Sequence, residues 1–286
     1  MRADVRNPRQ PPFSHRPMTL LKPFKKMFKG IKRPAPAVPA GERYYVIGDI
    51  HGRADLFRAL VKAIEADEAK KPVDTSVIVL LGDLIDRGPD SAGVVKYARK
   101  LMKRRPVRML VGNHEEMFLQ SFQKPDVLRH FLKFGGRETL LSYGLTTKQY
   151  NSLDIDELFD KLPEIVPQKH RDFLEAGEEM IVVGDYVFVH AGIHPDRPVE
   201  EQKRHDMLWI RERFLDHRKP LSHVVVHGHT IFEDIEIGRS RIGIDTGAYK
   251  TGRLTALVLE GAKQRTIQAT EAKGGDIGIE KGKLAA

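Results

Sequence analysis

The 286-residue sequence contains no cysteine, and that absence removes disulfides, thiolate metal ligands and a cysteine nucleophile together. Any bound metal would have to be held by His, Asp, Asn or Glu. No run approaches the roughly 18 consecutive apolar residues of a spanning helix, and the N-terminus lacks the apolar stretch of about 7–15 residues that a secretory signal needs. A cytoplasmic location is the expectation that follows. Most of the chain also lacks an excess of either charge. The formal net charge is +9, but residues 1–40 hold ten Lys and Arg against one Asp, which leaves 38 bases and 38 acids in the remainder. A basic balance confined to one terminus, with no base-reading motif beside it, argues against a specific nucleic-acid partner.

That terminal stretch is rich in proline as well, and it closes in Arg33-Pro34-Ala35-Pro36-Ala37-Val38-Pro39-Ala40. This is the composition of an extended linker, so residues 1–40 are expected to form a basic, disordered tail. Within it Leu21, Phe24, Phe28 and Ile31 fall near helical spacing among lysines, a pattern suited to weak contact with an anionic membrane surface. Pro23 and Gly30 interrupt the pattern, a solvated tail is the plainer expectation, and Met18 and Met27 offer later starts.

From Arg43 the texture changes. Tyr44-Tyr45-Val46-Ile47 is a short β-rich run, followed by Gly48-Asp49 and a helical stretch over 56–66. The same grammar recurs at 76–81 before Gly82-Asp83 with a helix over 91–104, and at 107–111 before Gly112-Asn113 with a helix over 115–123. Alternation of this kind predicts a layered α/β core. Residues 124–178 read as a helical insertion. The runs at 180–183, 186–190, 223–226, 235–237, 242–244 and 255–259 predict a second sheet. The boundaries expected are therefore a catalytic domain over 41–262 and a flexible, Lys- and Gly-rich C-terminal tail over 263–286.

Three strand ends each deliver a polar cluster: Gly48-Asp49-Ile50-His51-Gly52, Gly82-Asp83-Leu84-Ile85-Asp86-Arg87-Gly88 and Gly112-Asn113-His114-Glu115. Two more follow later strands, Phe188-Val189-His190-Ala191-Gly192 and His227-Gly228-His229-Thr230. Loops beyond the carboxyl ends of parallel strands share one edge of a sheet, so these clusters should converge. A single Asp after a strand is an ordinary helix cap, but five such clusters in order are not accounted for by capping. Carboxylate, imidazole and amide ligands without sulfur suit Mn²⁺, Fe or Zn²⁺.

These motifs, spanning Gly48 to Thr230, resemble those of the metallophosphoesterase superfamily, and specifically the phosphoprotein phosphatase family that includes the bacteriophage lambda enzyme. Leu208-Trp209-Ile210-Arg211 is similar to its Trp-x-Arg segment, and Ile244-Asp245-Thr246-Gly247-Ala248 to a late strand. The resemblance implies a four-layer α/β/β/α sandwich of two mixed sheets with flanking helices. It implies two divalent metal ions, manganese first, with Asp49 and His51 holding one, Asn113, His190 and His229 the other, and Asp83 bridging both. Paired cations lower the pKa of a shared water and aim it at phosphorus. His114 would protonate the leaving group with Asp86 orienting it, and Arg87 and Arg211 would clamp phosphoryl oxygens.

Several neighbours are expected to play plainer parts: His227 structural or behind a ligand, His194 on the surface or rim, Glu115 supporting backbone or capping the next helix, Trp209 in the core and Asp245 in a turn or behind the ligands. The reaction expected is hydrolysis of phosphomonoesters, with phosphoserine and phosphothreonine in proteins as the leading substrates and other phosphorylated small molecules as possible ones. Symmetrical dinucleoside tetraphosphate hydrolases share the motifs, including a His-Gly-His-Thr segment like residues 227–230, and are the nearest rival reading. A non-catalytic metal-binding scaffold is the rival of another class. Motifs of this kind specify phosphoryl chemistry and leave the attached group, the native metal and the oligomeric state open.

Overall fold

The structure is a computed structural model and describes residues 35–284. The amphipathic pattern of residues 21–32 and the rest of the tail before residue 35 lie outside the described residues. In chain order the elements are β1 (Glu42–Ile47), α1 (Ala54–Lys70), β2 (Thr75–Leu80), α2 (Ser91–Met102), β3 (Val107–Met109) and α3 (Asn113–Gln120). The insertion follows as α4 (Pro125–Phe131), α5 (Arg137–Ser142), α6 (Thr147–Ser152), α7 (Ile155–Ile165) and α8 (Gln168–Glu175). Then come β4 (Met180–Val183), β5 (Tyr186–Val189), α9 (Arg204–Trp209), α10 (Glu212–Leu215), β6 (Val224–His227), β7 (Glu236–Ile237) and β8 (Arg241–Gly243). The chain closes with α11 (Ala248–Thr251), β9 (Arg253–Glu260), β10 (Lys263–Glu271) and β11 (Ile277–Lys283).

The strands make two mixed sheets, ordered β11-β10-β9-β1-β2-β3 and β4-β5-β6-β8-β7. In the first, β1, β2 and β3 are parallel and β9, β10 and β11 add antiparallel. In the second, β5, β6 and β8 are parallel between antiparallel edges. Because successive side chains of a strand point to opposite faces, each central strand serves two cores. Tyr44, Val46, Val77, Val79, Leu257 and Leu259 face the other sheet and meet Ile181, Tyr186, Phe188, Val226 and Ile242 there. Tyr45, Ile47, Ile78, Leu80, Ala256 and Val258 face the opposite way, onto the apolar stripes of α1 and α2 and onto Leu128, Phe131, Leu140, Leu162 and Leu174 of the insertion. A smaller cluster of Val189, Val225, Met207, Leu208 and Phe214 covers the outer face of the second sheet. The expected four-layer order results, with helices, sheet, sheet and helices in turn.

Two boundaries differ from expectation. The segment after Gly261 is not a flexible tail: β10 pairs with β9 over eight residues and β11 with β10 over seven. Its lysines and glycines mislead because β11 is an exposed edge strand, where charge is tolerated and even useful against unwanted pairing. What commits the hairpin is Ile267 and Ala269, fully buried on β10, and Asp67 of α1, which accepts from Arg265 and Lys281. At the other end, the last residues of the proline-rich stretch are packed. Val38 is buried and its N–H donates to Gly261 O, while Ala37 N–H donates to Asp185 and Tyr186 Oη to Pro36 O. Among the described residues no helix is long and apolar enough to cross a membrane.

Candidate metal centre

The parallel strands of both sheets end at one rim, and the loops there are tied to one another. The N–H groups of Ile50 and His51 donate to Asp83 O, Gly52 N–H donates to Leu84 O, and Gly228 N–H donates to His190 O. Glu115, fully buried, accepts from the N–H groups of Asp83, Leu84 and Gly112 at 2.7–2.9 Å. It therefore stitches the loop after β2 to the start of α3, the supporting part expected of it. Burial, reinforced by Asp83, pushes its carboxyl up to about 7.

Among the described residues the non-glycine positions with positive φ are His51, Asp83, Asp86, Arg87 and His229. All five are candidate site residues. A left-handed backbone at an ordinary residue costs on the order of 1 kcal/mol or more and persists where surrounding structure over-determines it. Here the turns aim side chains inward. Glycine is required beside them for space: a Cβ on Gly228 would overlap Asp49 Oδ1, and one on Gly112 would overlap Asp83 Oδ1.

The structure gathers five of the predicted residues into two adjoining buried groups, with Asp49 in neither and His114 beside His51 where Asp49 was expected. His51, Asp83 and His114 form one, and Asp83, His190 and His229 the other, each with donor atoms within 4.8 Å of one another. Asp83 is common to both. Its Oδ2 lies 3.6 Å from His51 Nε2 and its Oδ1 3.4 Å from His190 Nε2, so one carboxylate faces two imidazole sets with separate oxygens. Asn113 Oδ1 joins the second group, 2.9 Å from His190 Nε2 and 2.8 Å from His229 Nδ1. Asp49 Oδ2 accepts from His229 N–H at 3.0 Å, while its Oδ1 is buried without a partner, as is Nε2 of His229.

The electrostatics of this pocket ask for a cation. Asp49, Asp83 and Asp245 are 1–2% exposed. Burial, then the charges of Asp245 and Asp83, raise Asp49 well above the usual carboxylate range. Burial likewise lowers His51 to about 3 and His229 to about 2, and lowers His190. These rings are thus neutral near pH 7, the form that ligates metal. His51 Nδ1 and His190 Nδ1 donate to Ile85 O and Leu81 O at 2.7 and 2.8 Å, which fixes the tautomer and turns each Nε2 lone pair into the pocket. Gathered carboxylates, neutral imidazoles with inward lone pairs and orphaned acceptors fit two divalent ions.

At the edge of the first group, His114 Nδ1 donates to Asp86 Oδ2 at 2.6 Å. Asp86 is anchored in turn: Thr139 Oγ1 lies 2.6 Å from its Oδ1, and its own N–H donates to Ser91 Oγ and Thr139 Oγ1. Arg87 spans the gap, with Nη1 and Nη2 each 2.8 Å from the Nε2 atoms of His51 and His114. Its guanidinium lies 5.1 Å from the centre of the Tyr249 ring, and its N–H donates to Gly135 O. Arg211, exposed, donates to Thr230 Oγ1 at 3.2 Å and so stands beside His229.

The neighbours sort as follows. His227 is buried against Phe214 and Phe232 and joins neither group. Asp245 Oδ1 accepts from Gly247 N–H, a turn bond. Trp209 is half-buried between two cores and donates Nε1–H to Glu116 at 2.8 Å. His194 departs from expectation: it is buried, and its Nδ1 accepts from Asp196 N–H inside a tight turn. Sequence reasoning missed Thr139, Ser91 and Tyr249. Tyr249 sits one residue beyond the late-strand segment already singled out, so its proximity to the rim was available; Thr139 lies in the insertion, with no local signal.

A family model for calcineurin-like phosphoesterases matches residues 42–252, and the chain belongs to that family, the metallophosphoesterases. Serine/threonine-protein phosphatase 1 of Salmonella typhimurium is 30% identical over 216 residues, 74% of this chain and 89% of that protein. The symmetrical bis(5'-nucleosyl)-tetraphosphatase of Hamiltonella defensa is 32% identical over 151 residues, 53% of this chain. That alignment spans only 44% of the tetraphosphatase, so this chain matches less than half of it. Among solved structures, a putative diadenosine tetraphosphatase superposes with a TM-score of 0.54 at 22% identity, covering 88% of this chain and all of the other. A cold-active protein tyrosine phosphatase superposes at 0.52 and 17%, covering 86% and 80%. At these identities the superpositions speak for the fold.

Proposed function

We propose that this protein hydrolyses phosphate monoesters, with phosphoserine and phosphothreonine of proteins as its substrates, using two divalent cations held by Asp49, His51, Asp83, Asn113, His190 and His229. The observation that carries the reading is the His114–Asp86 pair, with His114 at the edge of the first of two cation-seeking groups that share Asp83. Bound cations would supply Lewis acidity and lower the pKa of water in the cleft. The sulfur-free donor set suits Mn²⁺, with Fe or Zn²⁺ as alternatives.

The remaining chemistry belongs to the chain. Cleaving the P–O bond leaves an alkoxide that needs a proton, and His114 Nε2 faces the pocket to deliver it. Burial works against a charged His114, but Asp83 and Asp86 outweigh it and raise its pKa, the direction that proton donation requires. Arg87 would exchange its two imidazole contacts for phosphoryl oxygens when ester binds, and Arg211 would close on the same group from the Thr230 side. Guanidinium suits both tasks because its paired N–H groups match two oxygens at once.

The near-complete alignment with the Salmonella phosphatase supports a phosphoprotein substrate. A second reading, hydrolysis of symmetrical dinucleoside tetraphosphates, is supported by the tetraphosphatase relatives. Turnover measured with defined metals on a phosphothreonine peptide, p-nitrophenyl phosphate and diadenosine tetraphosphate separates them. The proposal expects the peptide to be preferred. A large preference for the dinucleotide would replace it with the second reading, and a metal-loaded protein inert on all three would mean a non-catalytic scaffold.

A further inference from the structure

Between α2 and α8 runs an open groove of about 390 Å³ with an unusual lining. Lys96, Arg99, Lys100 and Lys103 stand along one face of α2 at the i, i+3, i+4, i+7 spacing that places them in a single stripe. Lys169, in the first turn of α8, faces them across the groove, and Pro167 and His170 complete it. No carboxylate lines the cavity. Among the described residues none of the five cations forms an ion pair within 4 Å, although Arg104 and Arg105, which follow directly in the chain, are paired with Glu65 and Glu68 of α1.

Like charges at these helix spacings repel, and the domain around them is neutral overall, so the stripe is a local excess that the fold does not balance. His170 makes the point from inside. It is 7% exposed, and its Nδ1 lies 3.0 Å from Tyr143 Oη. Burial and then the charges of Arg99, Lys169 and Lys96 depress its pKa.

We propose that this groove is a second anion site, distinct from the metal centre, which binds a short linear run of phosphoryl groups such as a triphosphate. Four charges in line over α2, from Lys96 to Lys103, extend about 10 Å at 1.5 Å per residue, which matches successive phosphoryl groups better than a single phosphate. Confinement between two helices favours a slender ligand over a flat membrane surface or a duplex. The site stands apart from the proposed chemistry, since none of its residues touches the rim. Two structural links join it to the rim: α2 itself, whose first residue Ser91 accepts from Asp86 N–H, and α5, which holds Asp86 through Thr139 and is followed directly by Tyr143 on His170.

The ligand's source is either a nucleotide or inorganic polyphosphate, and the test separates the two. Full-length, metal-loaded protein is titrated calorimetrically with a non-hydrolysable methylene-bridged triphosphate, with its adenosine form and with orthophosphate. Wild type is compared with Lys100→Glu/Lys169→Glu, in which the N-terminal tail and metal centre are untouched. The proposal expects the triphosphate to bind at least tenfold more tightly than orthophosphate at a site that weakens at least tenfold in the variant and with rising salt. Turnover of p-nitrophenyl phosphate should stay within about twofold, and an unchanged circular dichroism melt would exclude misfolding. Equal affinity for both triphosphates indicates that only the phosphoryl run is read, and tighter adenosine binding indicates a nucleotide. Binding that survives in the variant would place the ligand on the tail or at the metals and overturn the proposal, as would a site of equal affinity for orthophosphate.

Discussion

The metal rim and the C-terminal hairpin are both rich in charged residues and glycine, yet they use them in opposite ways. At the rim, aspartates and histidines are buried with too few partners: Asp49 Oδ1, His229 Nε2 and Asp245 Oδ2 have none. At the hairpin, every charge that is drawn inward is matched. Asp67 accepts from Tyr45, Arg265 and Lys281, and Arg53 reaches Asp55 and Glu271. Buried charge without a partner costs stability, and buried charge with good partners holds elements together. The rim is therefore held in a destabilised arrangement that the rest of the fold sustains, and the hairpin is part of what sustains it. Five left-handed residues at the rim point the same way.

This contrast can be broken most sharply at Asp83. Asp83→Asn removes the carboxylate common to both groups, so bound metal, measured by elemental analysis, should fall at both sites together and turnover should collapse with it. Retention of two tightly bound metals with full turnover would refute the shared role. His114→Asn should have the next largest effect. Its metal content should stay near that of the parent while turnover on esters with poor leaving groups falls by roughly 10²–10⁴-fold, the span of general acid catalysis. Esters with good leaving groups should suffer less, since they need less protonation. An equal loss on both kinds of ester would assign His114 to binding instead.

How much of this was legible in the sequence follows from how local each cause is. A strand that ends in Gly-Asp is readable because its apolar run and its turn are contiguous, so the rim clusters at 48–52, 82–88 and 112–115 could be placed on one edge before any coordinates. Positions that matter through distant contacts were not readable. Thr139 bonds to Asp86 from 53 residues away, and nothing around it in the chain distinguishes it from an ordinary helix residue. The hairpin was misread for the same reason. Residues 277–283 carry two lysines, a glutamate and two glycines, a composition that reads as frayed until β10 supplies a partner strand and α1 supplies Asp67. His194 likewise looked like a rim residue because the tight turn that buries it is closed by Gln202, which hydrogen-bonds both its N–H and its carbonyl O.

The hairpin offers the smaller but cleaner test. Burial alone would raise Asp67, but hydrogen bonds from Arg265, Tyr45 and Lys281 outweigh it and hold its pKa down at about 2. A free aspartate titrates near 3.9, so the folded state prefers the charged form. The stability gained is fully present above the unfolded value and is lost as pH falls toward the folded one. For a shift of this size the linkage is on the order of 2 kcal/mol at pH 7, with about half gone near pH 3. Asp67→Asn should therefore lower the urea-unfolding free energy by about 1–2 kcal/mol at neutral pH. The deficit should shrink as both proteins are acidified through that window, while metal content and turnover stay unchanged. Asp83→Asn should remove metal and turnover, whereas Asp67→Asn should remove stability and leave both. A hairpin that merely frayed against the domain would show no pH-dependent difference at all.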